Sequence, residues 1–256
     1  AAVYFGRDKE SDETLNFFET RASQTDDKNL YVIHGFSGVG KSSFMKAGVL
    51  AWMRFSGFQK SFQSWLVLDT FRPGEDPLTN LCETLFQKIL ACKTSRSDLL
   101  TSYRGFNLSQ MRDAVCDKST LNDLLRQLRM AYGKQHLLLS IDQFEEAYRH
   151  REANDDFFNV IRHILDIDGC FIILTIRTEY MDQFQKEPYD NEHFWQTKMI
   201  AKLLPSVDIR SIDDIIRGPA KYGLVEHMSI EEGFIDAVKA DMREQIEALP
   251  LLSLYL

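Results

Sequence analysis

Eight consecutive residues, Gly35-Phe36-Ser37-Gly38-Val39-Gly40-Lys41-Ser42, constrain this chain more than any others. They match GxxxxGK[ST], a pattern that background residue frequencies produce in roughly 1% of chains of this size. The apolar run Leu30-Tyr31-Val32-Ile33-His34 precedes them, and a helical pattern from Phe44 to Phe55 follows. A strand that enters a glycine-rich turn and leaves as a helix is the frame of a phosphate-binding loop. Glycines let the backbone wrap closely around phosphate with its N–H groups pointing inward. The new helix adds the positive end of its dipole. The candidate contacts are therefore Gly35, Ser37, Gly38, Val39, Gly40, Lys41, Ser42 and Ser43. Lys41 supplies a full charge to the β and γ phosphates, and the Ser42 hydroxyl ligates Mg²⁺. Two rival glycine readings fail. Ser43 stands where a third glycine would complete GxGxxG, and Val39 stands where GxSxG needs its last glycine.

The rest of the chain alternates apolar strands with helical patterns. Trp65 to Leu68 is a second strand candidate, His136 to Ile141 a third, Phe171 to Ile176 a fourth and Met199 to Leu204 a fifth. Such alternation gives a parallel, doubly wound α/β sheet. Asp76-Pro77 reads as a helix cap with proline in the first turn, ahead of an apolar face of Leu78, Leu81, Leu85 and Ile89. Residues 93–133 carry helix signals and no strand, so they form a helical insertion. Its Leu121, Leu124, Leu125 and Leu128 make either a core face or an oligomer surface. After Pro205 the strands stop. Ser211-Ile212-Asp213-Asp214 and Ser229-Ile230-Glu231-Glu232 are capping-box patterns. The expected division is a core over 1–204 and the start of a helical domain over 205–256. The apolar end Leu249-Pro250-Leu251-Leu252 is expected to run on into a longer protein.

Two strand ends carry further chemistry. The His136 strand ends in Asp142, followed by Gln143-Phe144-Glu145-Glu146. An acid at the carboxyl end of a buried parallel strand points into the crevice where ligands bind. Asp142 is placed to hold the Mg²⁺ shell. Glu145 and Glu146 are candidates to polarise an attacking water, or else a solvated helix start. The Phe171 strand ends in Arg177, which either senses a γ-phosphate or pairs with Glu179.

Composition excludes several classes. Thirty basic and 38 acidic residues leave a net charge of −8, a poor basis for non-specific nucleic-acid binding. No apolar run is long enough to span a membrane. The four cysteines form no CxxC pair and the six histidines show no metal-binding spacing, so free thiols in a reducing, cytoplasmic setting are expected. No NKxD pattern specifies guanine, which favours ATP and ADP as ligands.

Taken together, Tyr4-Phe5-Gly6-Arg7-Asp8-Lys9-Glu10, the loop Gly35 to Ser43, Phe71-Arg72-Pro73-Gly74, Ile141-Asp142-Gln143-Phe144-Glu145-Glu146 and Arg177 resemble the novel STAND NTPases. These are signal-transduction ATPases with numerous domains, related to the NACHT and apoptotic ATPases. The resemblance implies a P-loop NTPase core of AAA-like type, with strand order 5-1-4-3-2 and a helical domain behind it. It implies that Gly6 and Arg7 pack on the adenine side, and that Ala248-Leu249-Pro250 matches a GxP motif, with Pro250 at the base or ribose. Glu146 is then favoured as the water-polarising residue, Glu145 as its support and Arg177 as the sensor. The resemblance also implies a slow ATPase that rests with ADP and oligomerises with ATP. The trigger-sensing and effector domains would lie outside these residues, and some bacterial relatives are antiviral defence proteins. The alternatives are an AAA-like remodelling or DNA-loading ATPase and a non-hydrolysing nucleotide-binding scaffold.

Overall fold

The computed structural model describes residues 4–22, 27–55, 60–149, 151–186, 194–221, 231 and 233–243. Its centre is a sheet of five parallel strands: β1 Leu30–Gly35, β2 Trp65–Val67, β3 His136–Ile141, β4 Cys170–Arg177 and β5 Met199–Leu203. The order across the sheet is β2-β3-β4-β1-β5, the expected 5-1-4-3-2 read from the other edge. β1 lies one in from the edge, with β4 on one side and the edge strand β5 on the other. That register sets Gly35, the first residue of the phosphate loop, opposite Arg177 at the end of β4. β4 in turn pairs with β3, with Ile141 opposite Leu174. All three motifs therefore finish along one edge of the sheet.

Period-two alternation explains the two layers of helices. Leu30 and Val32, Leu137 and Leu139, and Ile172 and Leu174 face one core, against the helices Pro77–Ala91, Lys118–Tyr132 and Asp155–Leu165. Tyr31 and Ile33, Leu138, and Phe171 and Ile173 face the other, against Asp8–Ala22 and the helix that follows the phosphate loop. That last helix begins at Lys41, three residues earlier than its apolar pattern. It is α-helical over Lys41–Ser43, π-helical over Phe44–Leu50 and α-helical again over Ala51–Arg54.

The 93–133 stretch contains the helices Thr101–Arg104, Leu108–Cys116 and Lys118–Tyr132. Leu121, Leu124, Leu125 and Leu128 have no exposed surface, so their stripe is a core face and not an oligomer surface. Asp117 caps this helix through the Thr120 N–H at 2.8 Å, and Gly133 ends it in the left-handed conformation. The chain then enters β3 directly, so the last helix of the stretch is the crossover that delivers Asp142 to the sheet edge. Asp76 and Pro77 open their helix as read, with the Thr79 N–H on Asp76 at 3.1 Å.

Beyond β5 the described helices are Ile209–Ser211, a 3₁₀ turn, then Ile212–Lys221 and Phe234–Arg243. Ser211 belongs to the 3₁₀ turn, and Asp208 sits before it, accepting from the Arg210 N–H at 2.9 Å. Ile212, Ile216, Ile235 and Val238 form a small core of their own. Ser229, Ile230, Glu232 and Ala248-Leu249-Pro250 lie outside the described residues. Among the described residues, no helix is long and apolar enough to cross a membrane.

Candidate nucleotide-binding site

A cleft of about 510 Å³ opens at the carboxyl edge of the sheet. Its floor is Ser37, Gly38, Gly40, Lys41, Ser42 and Ser43. Gly38 and Gly40 adopt φ values of 78° and 88°, which a side-chain-bearing residue rarely takes. Lys41 Nζ donates to the carbonyls of Gly35 and Phe36, each at 2.8 Å, and so waits folded over the loop. Burial lowers its pKa, with the Glu145 charge opposing. Gly35 and Val39 underpin the loop without lining the cleft. The Val39 side chain is buried in the second core, and its carbonyl accepts from Arg7.

Asp142 is fully buried one residue past β3. Its Oδ1 accepts from the Ser42 hydroxyl at 2.6 Å and from the Thr175 hydroxyl at 2.8 Å. Its Oδ2 accepts from Lys46 Nζ at 2.9 Å. Burial pushes its pKa up, but hydrogen bonds from Ser42, Lys46 and Thr175 outweigh that and hold it below the usual carboxylate value. Gln143 follows in the left-handed conformation, φ 57°, with its N–H on Thr175 Oγ1 at 2.8 Å. That kink turns the chain sharply, so the residues after Asp142 cross the mouth of the cleft. Phe144 then plugs into the core with no exposed surface, edge-on to Phe158 and Phe184. Burying a phenyl ring contributes about 2–3 kcal/mol, which anchors the turn.

The two glutamates part company here. Glu145 lines the cleft: its Oε1 lies 3.2 Å from Arg177 Nε, and its Oε2 accepts from the Arg177 N–H at 3.3 Å. Burial raises its pKa, with Lys41 and Arg177 opposing. Glu146 turns the other way and accepts from the Gly74 N–H at 3.0 Å, holding the loop after β2. The resemblance favoured Glu146 as the water-polarising residue with Glu145 in support; of the two, it is Glu145 that lines the cleft. The reason is the left-handed Gln143, which rotates the following turn in a way that residue order does not disclose. Arg177 lines the cleft and, besides its contact with Glu145, lies 3.9 Å from Glu179.

In the opening motif Arg7 lines the cleft and is tied to the loop beneath it. Arg7 is 3% exposed, and its Nη2 donates to the carbonyls of Val39 at 2.9 Å and Pro205 at 2.8 Å. It therefore staples the phosphate loop to the chain that leaves β5. Gly6 has φ 84°, and a Cβ there would lie 2.8 Å from Ile215 Cγ1. Gly6→Ala is expected to lower unfolding free energy by about 1–3 kcal/mol through strain and overpacking. A urea titration checks it, and a change inside a few tenths of a kcal/mol would mean that the Ile212–Lys221 helix simply moves aside. The apolar wall beside this motif is Tyr4, Phe5, Val207 and Ile215. Burial pushes the Tyr4 hydroxyl up to about 12, so it stays protonated.

Lys46, Thr175, Val207 and Ile215 escaped sequence reasoning, and Tyr4, Phe5 and Gln143 were read only as parts of motifs, without a role at the site. Two of them left a signal. Thr175 is the lone polar residue inside Phe171 to Ile176, and Lys46 lies one helical turn beyond Ser42.

The fold has known counterparts. The Aeropyrum pernix ORC2 protein, solved with ADPNP and ADP, is 15% identical, with a TM-score of 0.58 over 83% of this chain and 51% of its own. The Drosophila ORC bound to DNA is 16% identical, with a TM-score of 0.57 over 98% of this chain and 60% of its own. The Walker-type ATPase PABY2304 of Pyrococcus abyssi is 17% identical, with a TM-score of 0.52 over 96% of this chain and 65% of its own. The chain thus spans about half to two thirds of the length of these structures. Comparison with curated proteins returns no match. The sequence profile of the Novel STAND NTPase 1 family matches residues 1–256, and the chain belongs to that family.

Proposed function

We propose that this chain binds ATP and ADP in the cleft and hydrolyses ATP slowly, as the nucleotide-dependent switch of a larger protein. The observation that carries the reading is the convergence at one sheet edge of Lys41, the Ser42–Asp142 pair and the Glu145–Arg177 pair. The phosphates sit on the loop N–H groups with Lys41 swung from its carbonyl contacts onto the β and γ oxygens. The base rests on the apolar wall of Tyr4, Phe5, Val207 and Ile215. Glu145 takes a proton from water as the water oxygen bonds to the γ-phosphorus and the bond to the β–γ bridging oxygen breaks. Arg177 steadies the charge spreading over the γ oxygens.

The donor set fits Mg²⁺. Ser42 and Asp142 offer hard oxygens 2.6 Å apart, and among the described residues no cluster of three or more His, Cys, Asp or Glu could cage a metal alone. That is the pattern for an ion that completes its shell with phosphate oxygens and water. Ser42 and Asp142 would hold it, and when bound it would supply positive charge to the phosphates.

Family membership supports the wider reading: an ADP-bound resting state, ATP-dependent oligomerisation, and signalling, antiviral defence included, from a cytoplasmic protein. The boundary near residue 205 belongs to this proposal too. DNA loading is the alternative that the ORC relatives solved with DNA bring to mind, and a salt-dependent DNA titration separates it from the switch.

The test is to denature the purified chain, identify any released nucleotide, and compare Lys41→Ala. Bound ADP is expected in the wild type. Nucleotide affinity is expected to fall about 10- to 100-fold in the variant, the worth of a charged hydrogen bond. A wild-type chain with neither bound nucleotide nor measurable affinity would refute the reading.

A further inference from the structure

Asp142 already holds the counter-charge that a carboxylate beside a phosphate requires. Its Oδ2 meets Lys46 Nζ at 2.9 Å and, less closely, Arg72 Nε at 3.4 Å. The carboxylate has no exposed surface, while the Lys46 side chain is 46% exposed. A buried carboxylate is costly unless paired, and a nearby phosphate raises the cost because like charges repel strongly where water is excluded. A divalent ion is the usual remedy. Here the helix supplies one from within. Lys46 follows Ser42 by one turn, so both side chains reach the same carboxylate from one face. It does so from the π-helical stretch Phe44–Leu50, whose Lys46 carbonyl accepts from the N–H of Ala51, five residues on. π-Helical geometry is rare and is found frequently at functional sites.

We infer that Lys46 is the resident counter-cation of Asp142 and lets the cleft hold a nucleoside diphosphate with no divalent ion present. The inference rests on the nucleotide reading above and deepens it. An ammonium group carries charge but cannot bridge phosphate oxygens as a metal does. Lys46 therefore substitutes for the ion in retention of the diphosphate and not in turnover. Retention of ADP becomes independent of free magnesium, and Lys46 sets that independence.

The experiment measures ADP affinity in EDTA and in excess Mg²⁺ for the wild type, Lys46→Met, Lys46→Arg and Lys46→Met combined with Asp142→Asn. The wild type should bind with affinities within about threefold in the two conditions. Lys46→Met should lose about tenfold or more in EDTA and little in Mg²⁺, the scale of one charge-assisted contact. Lys46→Arg should stay near wild type. The double variant should recover most of the EDTA affinity, because the uncompensated carboxylate is gone. A purely structural lysine would lower affinity equally in both conditions and would not be rescued, and either result overturns the inference. A wild type that needs Mg²⁺ to bind ADP overturns it as well. A wild type that binds no nucleotide at all defeats the nucleotide reading, which Lys41→Ala tests separately. Unfolding midpoints of each variant without nucleotide show that the losses are not losses of fold.

Discussion

Glu145→Gln is expected to remove ATP turnover by about 10²- to 10⁴-fold while leaving nucleotide affinity within a few-fold, the range for loss of a positioned general base. The substitution is nearly isosteric. Its amide oxygen can still accept from the Arg177 N–H, so the local turn survives, and what is lost is the ability to take a proton. Glu146→Gln is expected to change turnover by less than about threefold, since a neutral amide still satisfies the Gly74 N–H. The pair of variants therefore separates two adjacent residues of one chemical type. The pH profile adds a second reading. Burial raises the Glu145 pKa above its ordinary value. A base works only when deprotonated, so activity should fall as pH drops through that raised pKa, at a higher pH than a solvated glutamate would give. The acid limb of kcat/KM reports this for the free protein. Phosphate release measured across pH for both variants decides the matter. Loss of turnover in Glu146→Gln with a normal Glu145→Gln would restore the order that the sequence suggested; normal turnover in both would mean that neither glutamate is the base, and a wild type without turnover would favour a non-hydrolysing scaffold.

The contrast shows what residue order discloses and what it hides. The strands were legible because each is a continuous apolar run with motifs at run ends, while their order was implied by the family resemblance; a parallel sheet then forces those ends to one edge. The phosphate loop was legible because its glycines answer a backbone demand, with Gly38 and Gly40 both at positive φ. Glu145 against Glu146 was not, because a single left-handed residue, Gln143, decides which faces the cleft. The partners of Arg7 were hidden for a related reason: it lines the cleft, but its Nη2 donates to the carbonyls of Val39 and Pro205, 32 and 198 residues away, which no local pattern names. The π-helical stretch Phe44–Leu50 leaves no compositional trace either, since Phe44 to Phe55 reads as ordinary amphipathic helix.

Asp142→Ala is expected to lower unfolding free energy by about 2–4 kcal/mol as well as weakening nucleotide binding. The size follows from what the deletion strands. Breaking a buried ion pair costs about 3–5 kcal/mol when the surviving charge stays buried. Lys46 and Arg72 are half-exposed and turn to water, so that part of the cost is largely avoided. Thr175 cannot do so: it has no exposed surface, and its hydroxyl both donates to Asp142 and accepts from the Gln143 N–H. A stranded buried donor costs about 1–3 kcal/mol, and the emptied space beside Ser42 adds to it. Thr175→Val should cost about 1–3 kcal/mol through the orphaned Gln143 N–H. The two losses should not add, because both break one network, so a double-mutant cycle should show coupling of about 0.5–2 kcal/mol. The pH dependence has a definite sign. The folded pKa of Asp142 is depressed, so its contribution is complete above the ordinary carboxylate value and drains away as pH falls through the lower folded value. Urea titrations at neutral and acid pH should therefore show the wild type and Asp142→Ala converging as the medium becomes acid. A gap that persists unchanged would mean that packing, and not the ionised carboxylate, holds this corner of the sheet together.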